Sequence, residues 1–465
     1  MNMKNRANFR PYRPDQQFLL PQRLDQWLPQ DHLVYFVADV VQNLDLSPIY
    51  DDYDSAAGGQ PAYEPRMMVC LLFYAYCTGV PSSRRIEKLT HESIPFRVLA
   101  ANQHPDHDTI SSFRKRHLEA LAGLFVQTLE LCSRAGLVKL GHVALDGTKV
   151  KANASKHKAM SYERMVKKQD ELDAEVRRLL AEAEAVDAEE DARHGRGRRG
   201  DELPEELRRK QSRLDKIRQA RAAMEAEALA KAQKERAGRD EGAQSPEACK
   251  DDAPERRPEE AEPAKPQPTA QRNFTDPESR IMRDGATKSF EQAYNAQAAV
   301  DSASQVIVAA DLTQEANDKK QLEPMIEQMK SNLHGDKPAK LSADAGYFSE
   351  ENVQRASAQG IDPYIAAGRQ KHGEPVRTPP RGRIPSGATI KERMQRKLHT
   401  IKGRCTYRKR KAIVEPVFGQ IKQARGFRRF LLRGLEKARA EWRIICLTHN
   451  LLKLFSSGRF RTAGA

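Results

Sequence analysis

The sequence predicts an α/β domain that follows an all-α domain and is interrupted by a helical hairpin. Residues 1–138 carry apolar positions at helical spacing together with several capping residues. Residues 139–159 and 273–456 alternate short apolar strands with amphipathic helices. Residues 160–272 are highly charged, with apolar positions at 4–3 spacing and a Pro- and Glu-rich linker that we expect to be disordered. Residues 457–465 form a short tail.

The N-terminal domain is predicted to consist of short helices. Pro65 opens an apolar helix that extends to Tyr76, and a long helix is predicted from Ser111 to Ala135. The long helix follows a polar turn and carries the candidate DNA contacts Arg114, Lys115 and Arg116. A basic helix after a polar turn is typical of a helix-turn-helix-like DNA-binding module. An ordinary helical bundle with a solvated basic face explains the same residues equally well.

The positive charge of the chain is concentrated near its C-terminal end. The formal net charge is +15, and residues 401–433 contain eleven Lys and Arg but only one acid, Glu415. Such a local imbalance indicates a nucleic-acid partner. A lone acid in this window makes sense if it holds a metal ion against a polyanion. The residues of the window that we expect to contact DNA are Arg404, Arg408, Lys409, Arg410, Lys411 and Lys422.

The cysteines and the lengths of the apolar runs indicate in which cellular compartment the protein is expected. The six cysteines are scattered without a CxxC pair, which predicts a reducing environment and no zinc site. The N-terminus lacks the apolar region of a signal peptide. The longest apolar run, Met67 to Cys77, is well short of the roughly 20 residues that a membrane span needs. We therefore expect a soluble cytoplasmic protein without a membrane partner.

Three acids occupy the positions where chemistry is expected. Asp146 lies midway along an apolar strand, Asp344 ends a later strand, and Glu415 lies in a helix beyond both. An acid on a buried strand is costly unless it is paired or binds a cation. Taken alone, Asp146 is more simply a satisfied carboxylate at a strand–turn junction. Together with the other two acids it becomes a candidate metal ligand.

The order of strands and helices indicates how these acids meet. Three strands are followed by alternating helices and strands, which is the order of a ribonuclease H-like mixed five-stranded sheet with flanking helices. In that sheet the first and fourth strands are adjacent and parallel, so Asp146 and Asp344 lie together and the later helix lays Glu415 across the same edge. Three carboxylates suit Mg²⁺, for which Mn²⁺ can substitute. Lys422, two helical turns after Glu415, and Lys411, four residues before it, can share its face.

Four blocks in this order resemble the DDE transposases of bacterial insertion sequences. They are Asp146-Gly-Thr, residues 288–301 with Tyr294-Asn-Ala-Gln, residues 343–347, and residues 414–422. Residues 12–16 and 105–110 are similar to the InsH-type helical N-terminal domain. The resemblance implies that Asp146, Asp344 and Glu415 are the catalytic and metal-binding acids. Lys422 then matches the last residue of the tyrosine–arginine–glutamate–lysine signature.

The sequence departs from that signature before the glutamate. Lys411 stands where arginine is expected and Arg408 where tyrosine is expected, with Tyr407 offset by one residue. The helical insertion also follows the first catalytic strand, not the segment before the glutamate. Which basic residues take the signature roles is therefore open at this point.

The resemblance also implies an activity and partners. It implies an enzyme that binds the terminal inverted repeats of its element, frees 3′-OH ends by hydrolysis, and joins them to target DNA with two metal ions. Double-stranded DNA and a second copy of the chain in a synaptic dimer are the expected partners. A ribonuclease H-like nuclease that stops at hydrolysis is one alternative, and a transposase-derived DNA-binding protein without activity is another. The insertion is interpreted as a spacer or a partner surface.

Overall fold

A computed structural model describes residues 26–53, 61–155, 158–194, 205–240, 265–284, 288–368 and 379–460. The block at residues 12–16 and most of the predicted linker lie outside these ranges. The chain divides into two compact units, which we call the N-terminal unit (Met1–Leu137 and Leu447–Ala465) and the sheet unit (Val138–Cys446). In the ranges described, no helix is both long enough and apolar enough to cross a membrane.

The N-terminal unit is helical. Its helices up to Leu137 are α1 (Leu33–Gln42), α2 (Ser47–Tyr50), α3 (Pro65–Cys77), α4 (Ser83–Glu92), α5 (Ile94–Leu99), α6 (His107–Arg116) and α7 (Leu118–Arg134). Helix α3 begins at Pro65, as predicted, and buries every residue except Arg66. A proline in the first helical position loses no hydrogen bond, because that N–H would have no partner inside the helix.

The prediction of one long helix from Ser111 to Ala135 is wrong. Two helices, α6 and α7, occupy this stretch, and they are separated at His117, whose backbone leaves the helical region (φ −102°, ψ 23°). Helix α6 also starts earlier than the predicted Ser111, because the Asp106 side chain accepts the capping hydrogen bond from the backbone N–H of Thr109. The imidazole of His117 is buried and stacks on Tyr53.

The described residues of the sheet unit form a six-stranded mixed sheet from β1 (Val143–Lys151), β4 (Arg280–Arg283), β5 (Phe290–Asp301), β6 (Ile307–Thr313), β7 (Lys340–Ala343) and β8 (Asp362–Ile365). The strand order is β4-β5-β1-β7-β8, with β6 also paired to β5. The prediction of five strands is wrong by one. Strand β4 was missed because it is short and only Met282 of its four residues is buried, so it has little apolar pattern.

The helices that accompany the sheet in the described ranges are α10 (Leu322–Asn332), α11 (Glu350–Ala358), α12 (Ile390–His399), α13 (Ile401–Gly419) and α14 (Leu435–Ser457). Trp442 of α14 is fully buried and donates from its indole nitrogen to the carbonyl of Gln297 on β5, at 3.0 Å. Helix α14 thereby anchors the long central strand.

The predicted end of the catalytic domain at residue 456 differs from the observed division. Residues from Leu447 onward belong to the N-terminal unit. The thiol of Cys77 on α3 contacts the carbonyl of Thr448, and the ring of Phe455 packs on that of Phe36. These contacts explain the division, because the apolar residues of late α14 are covered by N-terminal helices.

The insertion forms two long helices, α8 (Tyr162–His194) and α9 (Glu205–Asp240), which pack antiparallel. Polar pairs such as Glu175 with Lys210 and Asp173 with Arg218 link the two helices. The buried residues of the seam are Met165, Leu172, Val176, Leu214, Ile217 and Met224. A two-stranded ladder, β2 (Ala159–Ser161) with β3 (Gln271–Asn273), joins the hairpin to the sheet unit.

This ladder makes the insertion removable. Ser161 lies opposite Gln271 in antiparallel register, so a two-residue Asn-Gly turn can replace residues 162–270. We expect the deleted chain to remain folded, with a melting temperature within about 5 °C of the full chain by circular dichroism. Loss of a cooperative transition would show that the hairpin is needed for the fold.

Candidate active site

Strands β1 and β7 bring Asp146 and Asp344 to neighbouring positions. In the parallel ladder Leu145 lies opposite Ala343, and each acid is the next residue along its chain. Both side chains are partly buried. Strands β1 and β7, which are the first and fourth strands of the predicted order, are therefore adjacent, and their two acids lie at the same edge of the sheet.

Burial and charge perturb the first acid. The pKa of Asp146 is raised to about 6 because burial raises it strongly and the charge of Asp344 adds to that effect, while the Arg410 guanidinium acts in the opposite direction. Two carboxylates so close repel each other unless a positive charge stands between or beside them. A bound divalent cation would supply that charge through the hard oxygen donors that such ions prefer.

Arg410 supplies a positive charge from helix α13. Its Nη1 lies 2.7 Å from Oδ2 of Asp146, and the residue is only 9% exposed. The Tyr407 ring lies 5.8 Å from the Arg410 guanidinium, and burial raises the pKa of this tyrosine. Arg410 was predicted to contact DNA; in the structure its guanidinium forms an ion pair with the first acid, and the DNA contact stays a prediction.

Tyr407 and Arg410 also address the open question about the signature. They are three residues apart, which is the spacing of the expected tyrosine and arginine, but the pair stands one residue farther from Glu415. A search that kept the spacing of the pair and allowed one extra residue before the glutamate would have found them. Lys411 and Arg408, the residues at the nominal positions, are exposed.

Glu415 is not brought to the two acids. It lies on the exposed side of α13, five residues after Arg410, which corresponds to about 140° around the helix. Because Arg410 faces Asp146, Glu415 cannot face it from the same helix orientation. Across the ranges that the structure describes, no group of three or more His, Cys, Asp or Glu is arranged to hold a metal ion.

Lys422 lies just after α13, in a π-helical turn formed by Gln420–Ala424. Its ammonium donates to the carbonyl of Lys149 on β1, at 2.7 Å, and burial lowers the pKa of this lysine. The ammonium of Lys149 in turn donates to the carbonyl of Ala316, at 2.9 Å. The signature lysine is thus tied to the strand that carries the first acid.

A third carboxylate, Asp318, lies behind the acid pair. Its Oδ1 accepts hydrogen bonds from the side-chain amides of Asn295 and Gln297 on β5, at 2.6 and 2.8 Å. Asp318 was not among the residues predicted from the sequence. Asn295 and Gln297 are two residues apart on a strand, so their side chains lie on the same face. Two buried side-chain amides need a hydrogen-bond acceptor, and this requirement could have indicated a nearby acid.

Two glycines make room for this arrangement. A Cβ on Gly147 would meet Gln297 Nε2 at 2.6 Å and Asp318 Oδ1 at 2.9 Å. A Cβ on Gly346 would lie 3.0 Å from Asp344 Oδ1 and 3.2 Å from Asp318 Oδ2. The Asp-Gly pair on β1 is therefore required by close packing against side chains.

The turn after β7 holds the second acid. Asp344 caps a 3₁₀ turn, Ala345–Tyr347, by accepting from the backbone N–H of Gly346 at 2.8 Å. The fully buried Tyr347 donates its hydroxyl to Gln297 Oε1. Burial raises the pKa of Tyr347 well above its usual value, and the charges of Asp318, Asp146 and Asp344 act in the same direction.

Some of the remaining predicted DNA contacts are exposed, and the others form hydrogen bonds or ion pairs within the chain. Lys409, like its neighbours at 408 and 411, is exposed, whereas Arg404 donates from Nε to the carbonyl of His399. In the N-terminal unit Arg114 is buried and donates to the carbonyl of Pro81 at 2.6 Å. Arg116 pairs with Asp52, and Lys115 is exposed. The prediction for Arg114 is corrected: its guanidinium serves the helical core.

Comparisons with known proteins agree with this architecture. A family model described as transposase DDE domain matches residues 267–451, and one described as transposase domain (DUF772) matches residues 22–116. The first match includes Asp344 and Glu415, whereas Asp146 lies between the two matches. No curated protein and no solved structure matches the chain.

The DDE domain implies a ribonuclease H-like fold, and the mixed sheet fits that implication. Enzymes with this domain generally depend on divalent metal ions. The matches to two transposase family models in one chain are consistent with a DDE transposase of an insertion sequence.

Proposed function

We propose that this chain is a DNA transposase that binds the terminal inverted repeats of its element, hydrolyses phosphodiester bonds to free 3′-OH ends, and joins these ends to target DNA. The observation that carries the proposal is the juxtaposition of Asp146 and Asp344 on strands β1 and β7. The two transposase-family matches support it. We further propose that the chain acts as a homodimer on double-stranded DNA in the cytoplasm.

Asp146 and Asp344 are the proposed metal-holding acids. Mg²⁺, or Mn²⁺ in its place, would supply the charge that stabilises the attacking and leaving oxygens of an in-line displacement. Arg410 balances the negative charge of Asp146 in this structure. When a metal ion balances that charge in its place, the Arg410 guanidinium can bind a DNA phosphate. Lys422 holds the same strand from the other end of the helix.

Glu415 remains the proposed third metal ligand, but it can take this role only if the orientation of its helix changes. Helix α13 must turn about its axis for Glu415 to approach the acids, because Arg410 faces them now. The π-helical turn Gln420–Ala424 follows directly, and such turns commonly lie at functional sites.

One observation favours a second candidate function. An acid that is paired with a buried arginine, together with a glutamate on the exposed side of its helix, fits a transposase-derived DNA-binding protein without activity. A nuclease that stops at hydrolysis would use the same acid pair. Measurement of cleavage and of joining distinguishes all three.

Replacement of Asp344 tests the acid pair. We expect Asp344→Asn to bind the element ends as the wild-type chain does and to lose both cleavage and strand transfer by at least about 1,000-fold, because the charge that holds the metal ion is removed. Cleavage and joining of labelled element ends with Mg²⁺ provide the measurement. Asp336→Asn, at an exposed loop position, is the matched control and should retain both reactions. Retained cleavage by Asp344→Asn would refute the assignment.

The exposed cations of α13 form the proposed contact with DNA phosphates. We expect the triple replacement of Arg408, Lys409 and Lys411 by alanine to weaken binding to all DNA sequences alike. The slope of log affinity against log salt should fall by about 0.9 for each lost phosphate contact. Fluorescence anisotropy at several salt concentrations measures the slope.

A charge-matched control is available in the insertion. Arg208, Arg213 and Lys216 are exposed on α9, and their replacement by alanine removes the same charge. An equal change in slope for both triple variants would mean that net charge alone, and not the α13 surface, sets the affinity.

A further inference from the structure

The loop between β6 and α10, residues 314–321, is held from three sides; we call it the Asp318 loop. The side-chain amide of Asn295 donates to the carbonyl of Glu315 at 3.0 Å. The Lys149 ammonium holds the carbonyl of Ala316, and the side-chain amide of Asn352 on α11 holds that of Lys319 at 2.6 Å. Strands β5 and β1 and helix α11 thus hold the loop in place.

The carboxylate of Asp318 is the point at which this loop meets the sheet. It accepts from the amides of Asn295 and Gln297, both of which are fully buried. Buried donors that lose their acceptor carry the full cost of desolvation. Within the part of the chain that the structure describes, the side-chain amide of Gln297 donates to Asp318 alone, whereas that of Asn295 also donates to the carbonyl of Glu315. Removal of the Asp318 carboxylate would therefore release Gln297 more than Asn295.

Gln297 and Asn352 continue the connection to Asp344. Gln297 accepts from the hydroxyl of Tyr347, and Asn352 donates to the carbonyl of Tyr347 at 2.7 Å. Tyr347 closes the turn that Asp344 begins. The same two residues therefore bind both the Asp318 loop and the turn that carries the second acid.

The loop also packs on the glycines that follow both acids. Asp318 Oδ1 lies 2.9 Å from the position of a Cβ on Gly147, and Asp318 Oδ2 lies 3.2 Å from that on Gly346. Gly147 follows Asp146 directly, and Gly346 stands two residues after Asp344. Asp318 therefore abuts both backbone segments behind the pair.

We infer that Asp318 is a positioning residue of the acid pair, acting through Gln297 and Tyr347 to set the backbone on which Asp146 and Asp344 are carried. The inference rests on the proposed function for its catalytic readout, but metal binding tests it independently. A merely structural anchor would change the stability of the chain and leave the metal affinity as it is.

Three full-length variants separate these roles. Asp318→Ala removes the acceptor, and Asp318→Asn keeps an oxygen that can accept from both amides while removing the charge. Asp336→Ala is the matched control, because this exposed aspartate follows α10 and lies outside the network. Mn²⁺ affinity is measured by electron paramagnetic resonance without DNA, alongside melting temperature and single-turnover cleavage of element ends.

We expect Asp318→Ala to weaken Mn²⁺ binding by about 10- to 100-fold, as loss of groups that orient metal ligands does. The cleavage rate should fall by about 100-fold with unchanged DNA affinity. Asp318→Asn should recover most of both, and Asp336→Ala should match the wild type.

Unchanged Mn²⁺ affinity in Asp318→Ala would overturn the positioning role. Equal losses of Mn²⁺ affinity and cleavage in Asp318→Ala and Asp318→Asn would also overturn it, because the effect would then come from the charge of Asp318 and not from its hydrogen bonds. A wild-type chain that binds Mn²⁺ but does not cleave element ends would refute the proposed reaction and leave the positioning role supported by the metal data.

Discussion

Two carboxylates held side by side on a partly buried sheet edge are the constraint around which the sheet unit is built. Like charges in a low-dielectric environment repel, and the pKa of Asp146 is raised to about 6, chiefly by burial and further by the charge of Asp344, although Arg410 lowers it. A cation beside the two carboxylates offsets this repulsion. Arg410 does so in the structure, and a divalent metal ion would do so in the proposed reaction.

The geometry of that pair depends on the long strand β5. It pairs with β1 along the whole of that strand, receives the indole of Trp442, and presents Asn295 and Gln297 to the Asp318 loop. The acids themselves are carried by β1 and by the turn after β7. Their separation is therefore determined by strand pairing and by a buried polar network, neither of which flexes easily.

The sequence was sufficient to predict that Asp146 and Asp344 lie close together, because strand order determines which strands are neighbours. It was insufficient to predict on which side of α13 Glu415 lies, because the direction of a helical side chain changes by about 100° with each residue. One extra residue between Arg410 and Glu415 therefore separates them around α13. Strand β4 has too little apolar pattern to be recognised, and Asp318 lies in a loop whose partners are distant in sequence.

The most direct test of the account is the position of bound metal. Crystals of the full-length chain soaked with Mn²⁺ should give anomalous density between the carboxylates of Asp146 and Asp344, and Arg410 should have moved away from Asp146. The same map reports whether Glu415 has joined them. Anomalous density elsewhere, or none at saturating Mn²⁺ with the Asp146–Arg410 pair intact, would contradict the proposal that these two acids form the metal site.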